Sequence, residues 1–314
     1  MSEYDPVDPP VALTVAGSDS GGGAGVQADL TAMRAHGVFG ASVVTATTAQ
    51  NTRGVEDVNP LPADHVASQY AAVADDFDVA AVKTGMLATA EVVETVTELV
   101  ADFNAPLVVD PVMVAATGDR LLSPAAEDAY EDLVAAATLV TPNVDEAAVL
   151  TGNPVETPAD AEAAGRELVA LGADAALVKG GHLSEGAVGE DVVVDTLVRA
   201  EGDSESGGPT VDRFETPRID TGEDVVVDTL VRAEGDSESG GPTVDRFETP
   251  RIDTDATHGS GCALSSAIAA RLARGESVRG AVDVAVEEMT EAVRRGYDVG
   301  EGPGAVNPTV LGEE

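Results

Sequence analysis

The segment Thr257-His258-Gly259-Ser260-Gly261-Cys262-Ala263-Leu264-Ser265 sets two glycines directly before an Ala-rich apolar run. A helix that begins this way turns successive backbone N–H groups toward whatever lies ahead of it, and its dipole favours an anion there. A transferring phosphoryl group is such an anion, and its transfer needs mainly positioning and charge stabilisation. Cys262 falls in the first turn, where a thiol pKa is expected to fall. It reads either as a base for a substrate hydroxyl or as a small buried residue packing the helix.

Other segments carry compatible chemistry. Asp110-Pro111 follows the apolar Val108-Val109; an acid there either holds Mg²⁺ through water near phosphates or caps a turn. In Thr141-Pro142-Asn143-Val144-Asp145-Glu146, Asn143 and Glu146 have the spacing of a capping box, and the same pair suits a Mg²⁺–water site. The loop Gly17-Ser18-Asp19-Ser20-Gly21-Gly22-Gly23-Ala24-Gly25 has no Gly-Lys-Ser/Thr ending, so it is not a P-loop. Gly23 to Ala28 fits a loose dinucleotide fingerprint. However, six residues separate it from the preceding strand, and Thr45 to Gln50 stand where the acid belongs, which disfavours NAD. What remains is either a loop whose glycines admit a small ligand close to backbone or a flexible turn.

The chain has only two lysines, Lys83 and Lys179, and both follow Val-rich runs. Chance and snorkelling stems are the bland explanations; a functional role for at least one is the sharper expectation. His182 and His258 fall near strand ends and suit structural or catalytic roles. His36 and His65 read as surface helix residues.

Elements that could position these residues alternate along the chain. Strands are expected at Val11–Ala16, Ala41–Ala46, Val79–Val82, Pro106–Val109, Leu139–Val140 and Ala175–Val178. Helices are expected near 25–36, 63–74, 90–103, 124–137, 144–150, 158–171, 261–273 and 278–295. Buried apolar strands alternating with amphipathic helices predict one α/β domain over residues 1–314: a mostly parallel sheet covered on both faces, with ligands at the carboxyl ends of its strands. Gly189–Thr221 and Gly222–Thr254 are identical, a period of 33 residues (222 less 189). Each copy reads as a β-hairpin, and the identity through its polar turn points to a recent tandem duplication or an assembly error rather than a repeat architecture. One hairpin is expected in the main sheet and the other looped out or stacked at its edge.

Bulk composition narrows the partners. A net charge of −40 repels nucleic-acid backbones and anionic lipid, so neither is expected as a partner. The single cysteine excludes an intrachain disulfide and a Cys-rich metal site. The N-terminus lacks the pattern of a signal peptide and no run approaches a membrane helix in length, so a cytoplasmic protein is expected. A homodimer is the expected assembly.

Together these segments resemble one family, the hydroxymethylpyrimidine/phosphomethylpyrimidine kinases of thiamine biosynthesis. The resemblance runs from about Val11 to Arg274, with the extra 33 residues as its one large departure. It rests on Ala16-Gly17-Ser18-Asp19 with Gly22 to Leu30, Thr48 to Val55, Lys83-Thr84-Gly85-Met86-Leu87, Asp110-Pro111-Val112-Met113, Thr141-Pro142-Asn143 with Glu146-Ala147, Lys179-Gly180-Gly181-His182, and His258 to Cys262. It implies a ribokinase-like fold and ATP·Mg²⁺-dependent phosphorylation of the hydroxymethyl oxygen, then of the monophosphate. Gln50 would hydrogen-bond the aminopyrimidine in a pocket lined by Gly17, Asp19, Ala24, Met86 and Met113. Asp110 and Glu146 would organise Mg²⁺; Lys179, Asn143 and Thr257 would meet ATP. Gly259, Ser260, Gly261 and Cys262 would form the anion hole, with Cys262 as base or proton relay. Cys at that position is shared with some pyridoxal-phosphorylating relatives, so a pyridoxal kinase is the nearest alternative, and a non-catalytic pyrimidine-binding regulator the next. With no fused second domain, a single function is expected.

The acidic surface is expected to be that of a halophilic, and here haloarchaeal, protein, because dissolved salt screens the self-repulsion of 57 acidic side chains. Thermal unfolding followed from low to molar KCl should show a rising midpoint; equal stability at both extremes would contradict this origin of the composition.

Overall fold

Strand β1 (Val11–Ser18) is apolar on both faces, and six consecutive residues of it are buried. A strand buried on both sides must lie inside a sheet with layers above and below it. The computed structural model describes residues 7–101, 103–113, 129–179, 192–199, 210–217, 230–234, 243–246 and 254–312, and puts β1 in that place. The sheet runs β11-β10-β9-β8-β7-β6-β5-β4-β1-β2-β3. Strands β2 (Phe39–Asn51), β4 (Val79–Thr84), β5 (Leu107–Val109), β6 (Leu139–Val140) and β7 (Ala175–Val178) continue β1 in parallel.

Helices α1 (Gly25–Ala35), α7 (Ser260–Ala273) and α8 (Val278–Arg294) cover one face. They pack Ala32, Leu264, Ile268, Val282 and Met289 against Val108 and Leu177 of the sheet. Helices α2 (Ala63–Ala74), α3 (Ala90–Val100) and α4 (Tyr130–Ala135) cover the other, where Val66, Val93, Tyr130 and Leu133 meet Leu13, Val82 and Val109. Helices α5 (Val144–Thr151) and α6 (Pro158–Leu171) join β6 to β7. Among the described residues no helix is long and apolar enough to cross a membrane.

The alternation expected from sequence is present, with helix ends differing by a few residues; α3, for instance, stops at Val100. One strand was not foreseen. β3 (Gly54–Pro60) folds back antiparallel on an extended β2, pairing Gln50 with Val55. It is mostly solvent-facing and contains Glu56, Asp57, Asn59 and Pro60, so it lacks the apolar run by which a buried strand is recognised. His36 is a correction. It is 3% exposed rather than on the surface, because its ring meets the Ala32 carbonyl at 2.8 Å and Glu288 of α8 at 2.8 Å.

Strands β8 (Val192–Arg199) and β9 (Thr210–Pro217) form a hairpin in the first copy of the repeat, and β8 zips antiparallel onto β7. Strands β10 (Leu230–Glu234) and β11 (Thr243–Arg246), from the second copy, extend the same edge; β10 meets β9 through Leu230–Phe214 and Val231–Arg213. Gly180, Gly181 and His182, and residues 124–128 of the expected helix, lie outside the described residues.

Candidate active site

The chemistry-bearing residues gather where β1, β2, β4, β5, β6 and β7 end, around the N-terminus of α7. That terminus is set by Gly259, the residue before the helix, which has a left-handed φ of 79°. A Cβ there would lie 1.9 Å from the Gly23 carbonyl oxygen, so only glycine lets this bend rest on the loop after β1. The Ser260 N–H closes the turn onto Thr257 at 3.2 Å, and the Ala263 N–H bonds Gly259 at 2.9 Å. The amides of Gly261 and Cys262 lie between these two, in the first turn whose N–H groups have no partner within the helix.

The loop after β1 is folded around Asp19. Its carboxylate accepts the N–H groups of Gly21 (2.7 Å), Gly23 (3.1 Å) and Ala24 (2.9 Å), and pairs with His258 Nε2 at 3.0 Å. Burial raises the Asp19 pKa, but His258 and the loop amides outweigh it and hold the group below its usual range. These bonds occupy the carboxylate within the protein, so Asp19 organises the loop on which Ala24 sits. His258 also lies 3.4 Å from the side-chain amide of Gln50, and so links both loops to the end of β2. Gly17 abuts the Met86 methyl, which a Cβ would meet at 2.3 Å, and Met86 packs on Ala46, Ala88 and Val112. Met113 is 1% exposed, and its N–H bonds Glu146. Gln50, Gly17, Ala24 and Met86 thus border one side of the bend.

The other side is charged. Asp110 is 1% exposed; its carboxylate accepts from Lys179 Nζ at 3.1 Å and Thr141 Oγ1 at 3.2 Å. Ser265 Oγ lies 3.2 Å from Asp110 and shares its proton with the Gly261 carbonyl at 2.8 Å. Burial opposes the Asp110 charge, but Lys179 and Lys83 hold its pKa low. Lys179 also abuts the start of α7: a Cβ on Gly261 would lie 3.1 Å from its Nζ. Asn143 and Glu146 form a complete capping box on α5, both bonds at 2.8 Å. Burial pushes Glu146 up to about 7, with Lys179 opposing and the Asp110 charge adding to it. Thr257 is exposed at the mouth of the site.

Cys262 is half-buried, and the Gly25 N–H donates to its sulfur. The expected fall in its pKa is overturned. Burial pushes the thiol up to about 11, with the Asp29 and Asp110 charges adding to it and the Lys83 charge and the Gly25 amide opposing.

A second cluster went unnoticed in the sequence. Lys83 and Asp29 form an ion pair at 2.9 Å with both side chains 0% exposed. Asp29 also accepts from Thr14 (2.6 Å) and Ser266 (2.8 Å). The signal was an acid on the buried stripe of α1, three residues after Val26 and four before Met33.

Metal chemistry has a donor pair. Among the described residues no three His, Cys, Asp or Glu side chains are gathered as a metal cage. Asp110 and Glu146 nevertheless suit Mg²⁺, which keeps waters and takes phosphate oxygens beside one or two carboxylates. Burial raises Glu146 and the Asp110 charge adds to it, and a bound cation would offset both.

A mostly parallel sheet covered by helices on both faces, with its polar cluster at the strand ends around a glycine-led helix, is the ribokinase-like fold. The phosphomethylpyrimidine kinase family matches residues 19–225 and 218–307, and the chain belongs to that family. The hydroxymethylpyrimidine/phosphomethylpyrimidine kinase of Streptomyces coelicolor is 44% identical over 303 residues, covering 96% of this chain and 95% of that protein. Among solved structures, the ADP complex of Bacillus subtilis pyridoxal kinase superposes with a TM-score of 0.77 at 30% identity, covering 97% of this chain and 99% of the other. The phosphomethylpyrimidine kinase of Clostridium difficile 630 superposes at 0.67 and 34% identity, over 90% of this chain and 99% of the other. The chain is a phosphotransferase of this type.

If the bend shapes the anion hole, Gly259→Ala should lower kcat by roughly two orders of magnitude, the cost of a lost oxyanion donor, while circular dichroism still reports a folded chain. An unchanged kcat would detach the bend from catalysis.

Proposed function

We propose a division of labour in which Gln50 and the loop after β1 hold the pyrimidine, Lys179 and the amides of Gly261 and Cys262 hold the moving phosphoryl group, and Cys262 takes the proton. The activity itself is that of the family: ATP-dependent phosphorylation of hydroxymethylpyrimidine and of phosphomethylpyrimidine in thiamine biosynthesis. The observation that carries the assignment is the contact of Gly259 with Gly23, which sets the donor amides of α7 against the pyrimidine-side loop.

The bond from the γ-phosphorus to the bridging oxygen of ATP breaks, and a bond to the hydroxymethyl oxygen forms in line with it. The hydroxyl proton passes to the Cys262 thiolate, and ADP leaves. In a loose transition state this proton leaves late, so the acceptor acts when the hydroxyl is already strongly acidified. Asp110 and Glu146 would hold Mg²⁺ beside the phosphates, partly through water, and the ion would neutralise charge on the β- and γ-oxygens. Asn143 fixes Glu146 through the capping box, and Thr257 lines the ATP side.

The pyridoxal alternative draws on the Bacillus subtilis structure, but the 44% identity to the Streptomyces coelicolor kinase favours the pyrimidine over the 30% seen there. A cytoplasmic homodimer that uses one hairpin copy and carries the other at its edge completes the proposal.

With the thiol at about 11, kcat should climb as pH rises above neutrality, and Cys262→Ala should lose most turnover and this slope while ATP binding persists. A variant with the native profile would remove Cys262 from proton transfer. Glu146 is uncharged below about 7, so the KM for ATP at fixed Mg²⁺ should rise as pH falls through that value. Glu146→Gln should have a high KM without the slope; an unaltered slope would exclude Glu146 from the metal site.

A further inference from the structure

We propose that Lys83, fixed by Asp29, is a positioning residue that sets the proton affinity of Cys262 from beneath the anion hole. This rests on the reading of Cys262 as proton acceptor.

The pair has no exposure to solvent, yet it stands between β4 and α1 where two apolar side chains would pack at least as stably. Two of its connections lead toward the thiol. Asp29 bonds Ser266, four residues after Cys262 and therefore on the same face of α7. Asp29 also belongs to α1, whose first residue, Gly25, donates its N–H to the Cys262 sulfur. Lys83 Nζ reaches the strand end beside the site, where a Cβ on Gly85 would lie 3.0 Å away. Thr14 of β1 bonds Asp29 at 2.6 Å. Four charges face the thiol: Lys83 of β4, Asp29 of α1, Asp110 after β5 and Lys179 after β7. Lys83 favours the thiolate, and Asp29 and Asp110 oppose it. Asp29 in turn keeps Lys83 charged against complete burial. The ammonium is therefore a fixed cation behind the thiol that substrate and solvent do not displace.

Because Cys262 is the only cysteine, alkylation by iodoacetamide reports one thiol. The full chain should be alkylated across pH in native, Lys83→Met and Lys83→Arg forms. The midpoint should move up by about one pH unit or more in Lys83→Met, as expected when a cation near a titrating group is lost, and stay at the native value in Lys83→Arg, which keeps the charge. General loosening of the fold would instead admit water to the buried thiol and lower the midpoint. A lowered or unmoved midpoint in Lys83→Met, or a raised one in Lys83→Arg, overturns the proposal. Should the thiol midpoints move as stated while the pH profile of kcat stays put, the influence of Lys83 stands and the role of Cys262 as proton acceptor falls.

Discussion

Neighbouring serines on α7 grip two different acids: Ser265 lies against Asp110 and Ser266 against Asp29, and each acid is paired with one of the two lysines in the chain. Successive residues on a helix point about 100° apart, so two such anchors fix the rotation of α7 as well as its depth. That matters because the working end of the helix has no side-chain cap; its bend is held from outside, by Gly23 behind it and the acids below. Removing one partner of a buried pair typically costs about 3–5 kcal/mol, a large share of the roughly 5–15 kcal/mol by which domains are stable. In a chain with 3% aromatic residues, whose core is mostly Ala, Val and Leu, these polar anchors supply directional constraint that the apolar packing does not.

The same arrangement addresses the charge of the molecule. A surface carrying −40 repels ATP over long distances, and salt screens that repulsion. At short range the balance reverses. Lys179 stands beside Gly261, helix amides point outward, and Lys83 adds a buried positive charge. With fifteen of the seventeen basic residues being arginine, both lysines are at the site and neither is on the acidic surface.

Much of this was legible in the chain. Continuous apolar runs marked β1, β4 and β5 because such strands are buried on both faces. The Asn143–Glu146 spacing gave the start of α5, and two glycines before an Ala-rich run gave the start of α7. What escaped depended on tertiary contact. β3 is a polar edge strand defined only by its pairing with β2. His36 looked like a surface residue until α8 supplied Glu288. The thiol of Cys262 was judged from its place on a helix, a local property, whereas its proton affinity is governed by desolvation and by charges from four other segments. Lys83 and Asp29 are 54 residues apart, and each alone looks like an oddity in an apolar stripe.

The central claim is that the amides of Gly261 and Cys262, with Lys179 beside them, receive the transferring phosphoryl group. A crystal structure with hydroxymethylpyrimidine and a non-hydrolysable ATP analogue tests it most directly. The terminal phosphate should lie about 3 Å from those two nitrogens, between Lys179 and the hydroxymethyl oxygen. A terminal phosphate bound elsewhere, with the start of α7 facing only solvent, would contradict it.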